Sequence, residues 1–245
     1  MMTIRIAVAA GLLLAAEAPA FEVASVQPNK EIRSRVSMTV NPGGILYTAV
    51  SVIDCLQAAY GVKRYQISGP DWLPAERYNI NARTAGATSE EVVKVMLKTL
   101  LADRFQLSLH REKKELPVFA LQVGKNGAKL KPSDPKGSRS MTGGPGALVF
   151  TNTSMQDLSD FLSGVPAIAR PVFDSTQLAG RFDFTLRLSA ATGDAGTEET
   201  KRAVAEGEPS IFTDALDELG LKLDGQKATI DMLVVDRATK NPIED

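Results

Sequence analysis

Cysteine, histidine and tryptophan each occur once in the 245 residues, as Cys55, His110 and Trp72. A lone thiol rules out an internal disulfide, so apolar burial must hold the fold together. One thiol and one imidazole fall short of the four N or S ligands of a structural zinc site. A Ser-His-Asp or Cys-His system has only His110 to draw on as base. That residue is out of phase with Leu107 and Leu109 and adjoins Arg111-Glu112-Lys113-Lys114-Glu115, which places it on the wet side of a hairpin turn. Neither sign of charge is in excess. A net charge of -1 exerts no general pull toward nucleic acid or an anionic membrane surface. Calcium-loop spacing of the Asp-x-Asp-x-Asp-Gly kind is missing, and Gly143-Gly144-Pro145-Gly146 lacks the Lys-Ser/Thr of a phosphate loop. No catalytic residue, cofactor or metal site is expected from this inventory.

Long apolar runs are scarce too. The one at Ile6–Ala16 follows a short basic start and precedes Ala18-Pro19-Ala20, the small-x-small pattern of a signal peptidase site. Residues 1–20 are therefore expected to be a signal peptide, and the product to be exported, periplasmic or secreted. No later segment reaches the roughly 20 apolar residues of a membrane span, so none is expected after cleavage. Hydrophobic content of 44% with 23% charged residues is globular composition.

What is present is a pattern that occurs twice. Alternating runs predict strands at Phe21–Val26, Val36–Val40 and Ile45–Val50. Ser51 with Asp54 resembles a capping box opening a helix with Cys55 on its apolar face. Short strands at Tyr65–Ile67 and Arg77–Asn81 follow, then a helix capped by Ser89, then a hairpin of Phe105–Leu109 and Leu116–Val123. Lys131–Gly146 is rich in Pro, Gly, Ser and Lys and reads as a linker. Beyond it the order recurs. Tyr47–Asp54 aligns with Phe150–Asp157 without a gap, so Asp54 and Asp157 are matching first-turn helix acids and Cys55 falls on Leu158. Arg77-Tyr78-Asn79-Ile80 aligns with Arg181-Phe182-Asp183-Phe184, and a closing hairpin pairs Leu221–Leu223 with Ile230–Val235. The expected fold is α+β: two similar β-α-β-β-α-β-β units of mainly antiparallel sheets with helices packed on one face. The units span 21–130 and 147–245, joined by a linker at 131–146. The second carries a small, polar, acidic insert at about 189–208, expected to be mobile.

Several stretches resemble a known family: Phe21–Val26, Tyr65–Leu73, Leu101–Phe105, Leu109–Val118 and Gly180–Leu186. They are similar to the signatures of the soil-associated acidobacterial "Soli" group, exported proteins of unknown function. The resemblance covers nearly the whole chain after residue 20. It implies export and a shared fold, and carries no activity, substrate or catalytic residue. The element order is also similar to the small βαβ-type domains at the N-termini of secretins and TonB-dependent receptors, which bind proteins or peptides. That likeness is one of fold.

These features point to a non-catalytic binding or interaction module whose partner is a protein, a peptide or an envelope polymer, met at sheet edges or in the groove between lobes. Trp72 lies between Pro70 and Pro74, with Tyr60 and Tyr78 nearby in sequence. Aromatics on a stiff loop supply contact area at little entropic cost, which makes these three the candidate contacts. The opposing view of Trp72 is a plug for the end of the first core. Two alternatives stay open. One is an envelope hydrolase using carboxylates or His110; the other is a sensor domain for a separately encoded membrane protein.

Overall fold

A computed structural model describes residues 18–31, 34–134, 136–144, 146–168, 170–187 and 210–243. Residues 1–17 of the expected signal peptide, and the expected insert at 189–208, lie outside the described residues. The fold is α+β, with antiparallel and mixed sheets.

In chain order the elements are β1 (Val23–Pro28), β2 (Ser37–Asn41), β3 (Gly44–Val50), α1 (Val52–Tyr60), β4 (Ile67–Ser68), β5 (Tyr78–Arg83), α2 (Glu90–Phe105) and β6 (Ser108–Val123). The second half repeats them as β7 (Lys131–Pro132), β8 (Ser140–Gly144), β9 (Ala147–Thr153), α3 (Met155–Ser163), β10 (Val172–Asp174), β11 (Phe182–Arg187), α4 (Ser210–Glu218) and β12 (Leu221–Arg237). Each half thus runs β-β-β-α-β-β-α-β, which corrects the shorter order expected from sequence. The expected linker at 131–146 carries β7 and β8, the counterparts of β1 and β2. Its glycines had disguised a hairpin.

The two expected hairpins are also corrected. Each is one long strand, β6 and β12, and the charged run Arg111–Glu115 lies mid-strand. That run contains neither Gly nor Pro to reverse the chain, and its alternating charges suit a strand exposed to water.

Two compact units result, and they do not follow the 21–130 and 147–245 division. One comprises Met1–Lys63, Gly69–His110 and Val234–Asp245; the other comprises Arg64–Ser68 and Arg111–Leu233. The chain passes from one unit to the other inside β6 and returns inside β12.

The first unit holds an antiparallel sheet of order β1-β5-β3-β2. Alternation on β5 buries Tyr78, Ile80 and Ala82 and exposes Asn79, Asn81 and Arg83. α1 and α2 bury Val52, Leu56, Ala59, Val93, Leu97 and Leu101. Ser51 and Asp54 form the expected capping box, and Gly61 ends α1 in the left-handed conformation. Ser89 does occupy the N-cap of α2, but its side chain makes no capping hydrogen bond; Glu90 and Glu91 favour that terminus through the helix dipole instead. The C-terminal segment closes the unit. Thr239 donates its N–H to the Phe105 carbonyl (2.7 Å), and Ile243 donates to Arg104 (2.8 Å).

The second unit holds an antiparallel sheet of order β7-β11-β9-β8 and the sheet β10-β6-β12-β4. β10, from the second half of the sequence, runs parallel to β6, from the first, with Val172 opposite Phe119 and Asp174 opposite Leu121. Phe119 and Leu121 therefore sit in one core with Phe150, Met155, Leu158, Leu162 and Leu216. Each repeat is completed by strand from the other.

Local detail repeats as well. Ala49 (φ 53) and Asn152 (φ 50) occupy matching left-handed positions, where each antiparallel ladder breaks register in a bulge. The Asn79 side-chain oxygen accepts from Ala49 N–H (3.0 Å), and the Asp183 carboxylate accepts from Asn152 N–H (2.9 Å). Arg77 reaches Asp54, and Arg181 reaches Asp157, each at 3.2 Å. Duplication therefore extends to backbone strain and to the side chains that hold it.

Candidate functional site

The three aromatic residues singled out from sequence have different surroundings. Tyr78 is buried, stacks edge-on against Phe105 (5.0 Å, 80°) and donates its hydroxyl to the Lys240 carbonyl at 2.7 Å. Burial, then the nearby Glu76 charge, pushes that phenol up to about 12. It is a core residue, which corrects its place among the contact candidates: alternation along β5 points it inward. Tyr60, the last residue of α1, is half-buried with the Lys98 ammonium 4.8 Å above its ring. Trp72 is half-buried in the turn 71–75, while its neighbour Leu73 is the fully buried residue. Gly69 is needed beside it, since a Cβ there would lie 2.7 Å from the Leu73 side chain and 2.9 Å from Val235.

His110 is half-exposed, as expected, with Nδ1 2.9 Å and 3.0 Å from the Asp236 carboxylate oxygens. Asp236 is itself 45% exposed, so this is a solvated pair and not an imidazole oriented by a buried acid. Cys55 is buried, and its thiol is pushed far above the ordinary range by burial and then by the Asp54 charge, the reverse of an activated nucleophile. Burial raises the Asp157 carboxyl, but hydrogen bonds from Ser154 and the charges of Arg139 and Arg181 outweigh it and leave its pKa lowered. Bonds from Ser133 and from the Asn152 amide lower Asp183. A general acid needs the opposite shift. Among the described residues, no group of three or more His, Cys, Asp or Glu side chains is placed to hold a metal ion, and no helix is long and apolar enough to cross a membrane.

A cleft of about 360 Å³ in the first unit is lined by Phe21, Glu22, Asp103, Arg104 and Ile243, among others. The Arg104 guanidinium there bonds to the carbonyls of Ile243 (3.2 Å) and Ala24 (3.4 Å). It ties β1 and the segment around Ile243 to α2.

The sheet edges differ from all of these. β7 is two residues long and consists of Lys131-Pro132, a short edge blunted by charge and proline. β2 and β8 are edges of their sheets as well, are exposed throughout, and contain no charge, no proline and no register shift. Both begin with the same tripeptide, Ser37-Met38-Thr39 and Ser140-Met141-Thr142. Thr39 lies opposite exposed Leu46, and Thr142 opposite exposed Val149. On the other face Met38 pairs with Tyr47 and Met141 with Phe150, yet the two methionines stay 39% and 53% exposed. Folding alone does not require matched side chains at solvent-facing positions. Sequence reasoning missed this pair because the second copy was assigned to a linker; the repeated Ser-Met-Thr was the available signal.

A family model described as "Protein of unknown function (DUF3738)" matches residues 53–238. No curated protein and no solved structure matches the chain.

Proposed function

The chain belongs to the DUF3738 family of proteins of unknown function, and from that premise we propose an exported, non-catalytic interaction module that grips extended polypeptide along β2 and β8. The observation that carries the proposal is the pair of open, uncharged edges bearing the same Ser-Met-Thr sequence. Unpaired N–H and C=O groups on an edge bond an added strand whatever its sequence, and alternate side chains supply selectivity. Met38 and Met141 suit that role, because an unbranched thioether adapts to varied apolar neighbours. Ladder bonding needs a peptide backbone, which favours a protein or peptide over an envelope polymer. Export through the leader at residues 1–20, and a place in the soil-associated acidobacterial "Soli" group, belong to the same proposal. Trp72 and Tyr60 are half-buried and serve as secondary contacts.

The test is capture from envelope extract, using wild-type chain and the Met38→Lys, Met141→Lys double variant as baits. Lysine on an edge opposes strand addition. The expected result is a set of proteins retained by wild type and lost by the double variant. Equal capture by both baits, or capture by neither, refutes the proposal.

A further inference from the structure

We propose that the strand added to β2 is β2 of a second copy of this chain. The inference rests on β2 being a docking edge, as set out above, and goes further by naming the occupant. The residues concerned are Val36-Ser37-Met38-Thr39-Val40. Antiparallel pairing of two identical strands places a two-fold axis at the centre, and this stretch is a chemical palindrome about Met38. With the axis on Met38, Val36 of one copy lies opposite Val40 of the other, and Ser37 lies opposite Thr39. Val36, Met38 and Val40 share one parity and are 48%, 39% and 44% exposed. Val40 and Met38 pair with buried Ile45 and Tyr47 of β3, so the added strand covers apolar surface at the rim of the core. Thr39 and Ser37 meet on the outer face, a favourable hydroxyl pair.

Charge agrees with this register. Arg35 of one copy falls opposite Asn41 of the other, and no like charges meet across the seam. The same test applied to β8 fails. Arg139 stands where Val36 stands in the first copy of the repeat and is paired with Asp157 at 3.1 Å. Gly143 replaces Val40, with φ 133. Pairing two β8 strands would set Arg139 against glycine, with no apolar flank on either side of Met141. Of β2 and β8, only β2 is complementary to itself.

Size sets the strength. Five residues extend about 17 Å, and a strip one strand deep on two partners stays below the roughly 1,200 Å² of a stable interface. The dimer is therefore weak and concentration-dependent, with dissociation in the range of about 1 μM to 1 mM. It would join two four-stranded sheets into one continuous sheet of order β1-β5-β3-β2-β2-β3-β5-β1.

Sedimentation equilibrium of the full chain lacking residues 1–20, across that concentration range, tests the proposal. Wild type is expected to dimerise, with residues 36–40 gaining amide-exchange protection on association. Met38→Lys is expected to raise the dissociation constant at least tenfold, while Met38→Leu and Met141→Lys leave it within a factor of about two. A thermal melt of each variant establishes that it is folded. A monomer at every concentration, a dimer indifferent to Met38→Lys, or one abolished by Met141→Lys overturns the inference. If wild type stays monomeric yet loses captured proteins on Met38→Lys, the homotypic contact fails while the edge keeps its role.

Discussion

Leu121 lies in the first half of the sequence, yet the structure assigns its side chain to the core of the second unit. It is fully buried there with Leu158, Leu162 and Leu216. Truncation to alanine removes three carbons and leaves a cavity, a change that costs about 2–5 kcal/mol in a close-packed core. In a chain of this size each kcal/mol lowers Tm by roughly 2–4 °C, so Leu121→Ala should lose on the order of 10 °C. The location of the damage is the sharper test. Native-state amide exchange should show α3 and β9 losing protection by the full increment, because their residues Leu158 and Phe150 share the core with Leu121. Ile80→Ala is the matched control, a buried residue of β5 in the first unit, and should act on β3 and α1. If Leu121→Ala instead releases β3 and α1 while α3 keeps its protection, the repeats are self-contained and the exchange of strands described here is wrong. A loss under 1 kcal/mol refutes the packing argument itself.

Two further expectations follow from the polar and thiol groups. Asp157 has a lowered folded-state pKa, so its contribution to stability is present above the unfolded value near 3.8 and fades as pH falls through the folded one. The unfolding free-energy gap between wild type and Asp157→Asn should be constant from neutral pH down to about 4, at about 1 kcal/mol for a lost capping-box partner, and close in stronger acid; a gap that widens on acidification contradicts the sign. Cys55 should resist an aromatic disulfide reagent at pH 8 in the native protein and react fully in denaturant, since burial holds its thiol protonated. Prompt labelling of the folded chain would place that face of α1 in water.

The helices and the short central strands were legible because their signals are local. Ser51 with Asp54, and Ser154 with Asp157, announce two helix starts, and both boxes form. The alternation of Arg77–Asn81 announces β5, which runs over Tyr78–Arg83, although its aromatic residue points inward and makes no outward contact. Two things escaped for physical reasons. Arg111–Glu115 has the composition of an exposed turn, and only the partner strand shows that it continues straight. Ser140–Gly144 has the composition of a loop, and only its pairing with Ala147–Thr151 makes it a strand. The open edges inherit that difficulty, because an edge is defined by what fails to pair with it. Strand exchange lies further still from local signals: Phe119 packs with residues that follow it in sequence by dozens of positions.

Synthesis on the ribosome runs from one end, and this chain is not arranged for that direction. The first unit is closed by residues far along the sequence: Val235 lies against Gly69, the Lys240 carbonyl accepts the Tyr78 hydroxyl, and Thr239 caps the exit of α2. Helices α1 and α2, which come early in the sequence, therefore lack part of their packing until residues 235–243 are made.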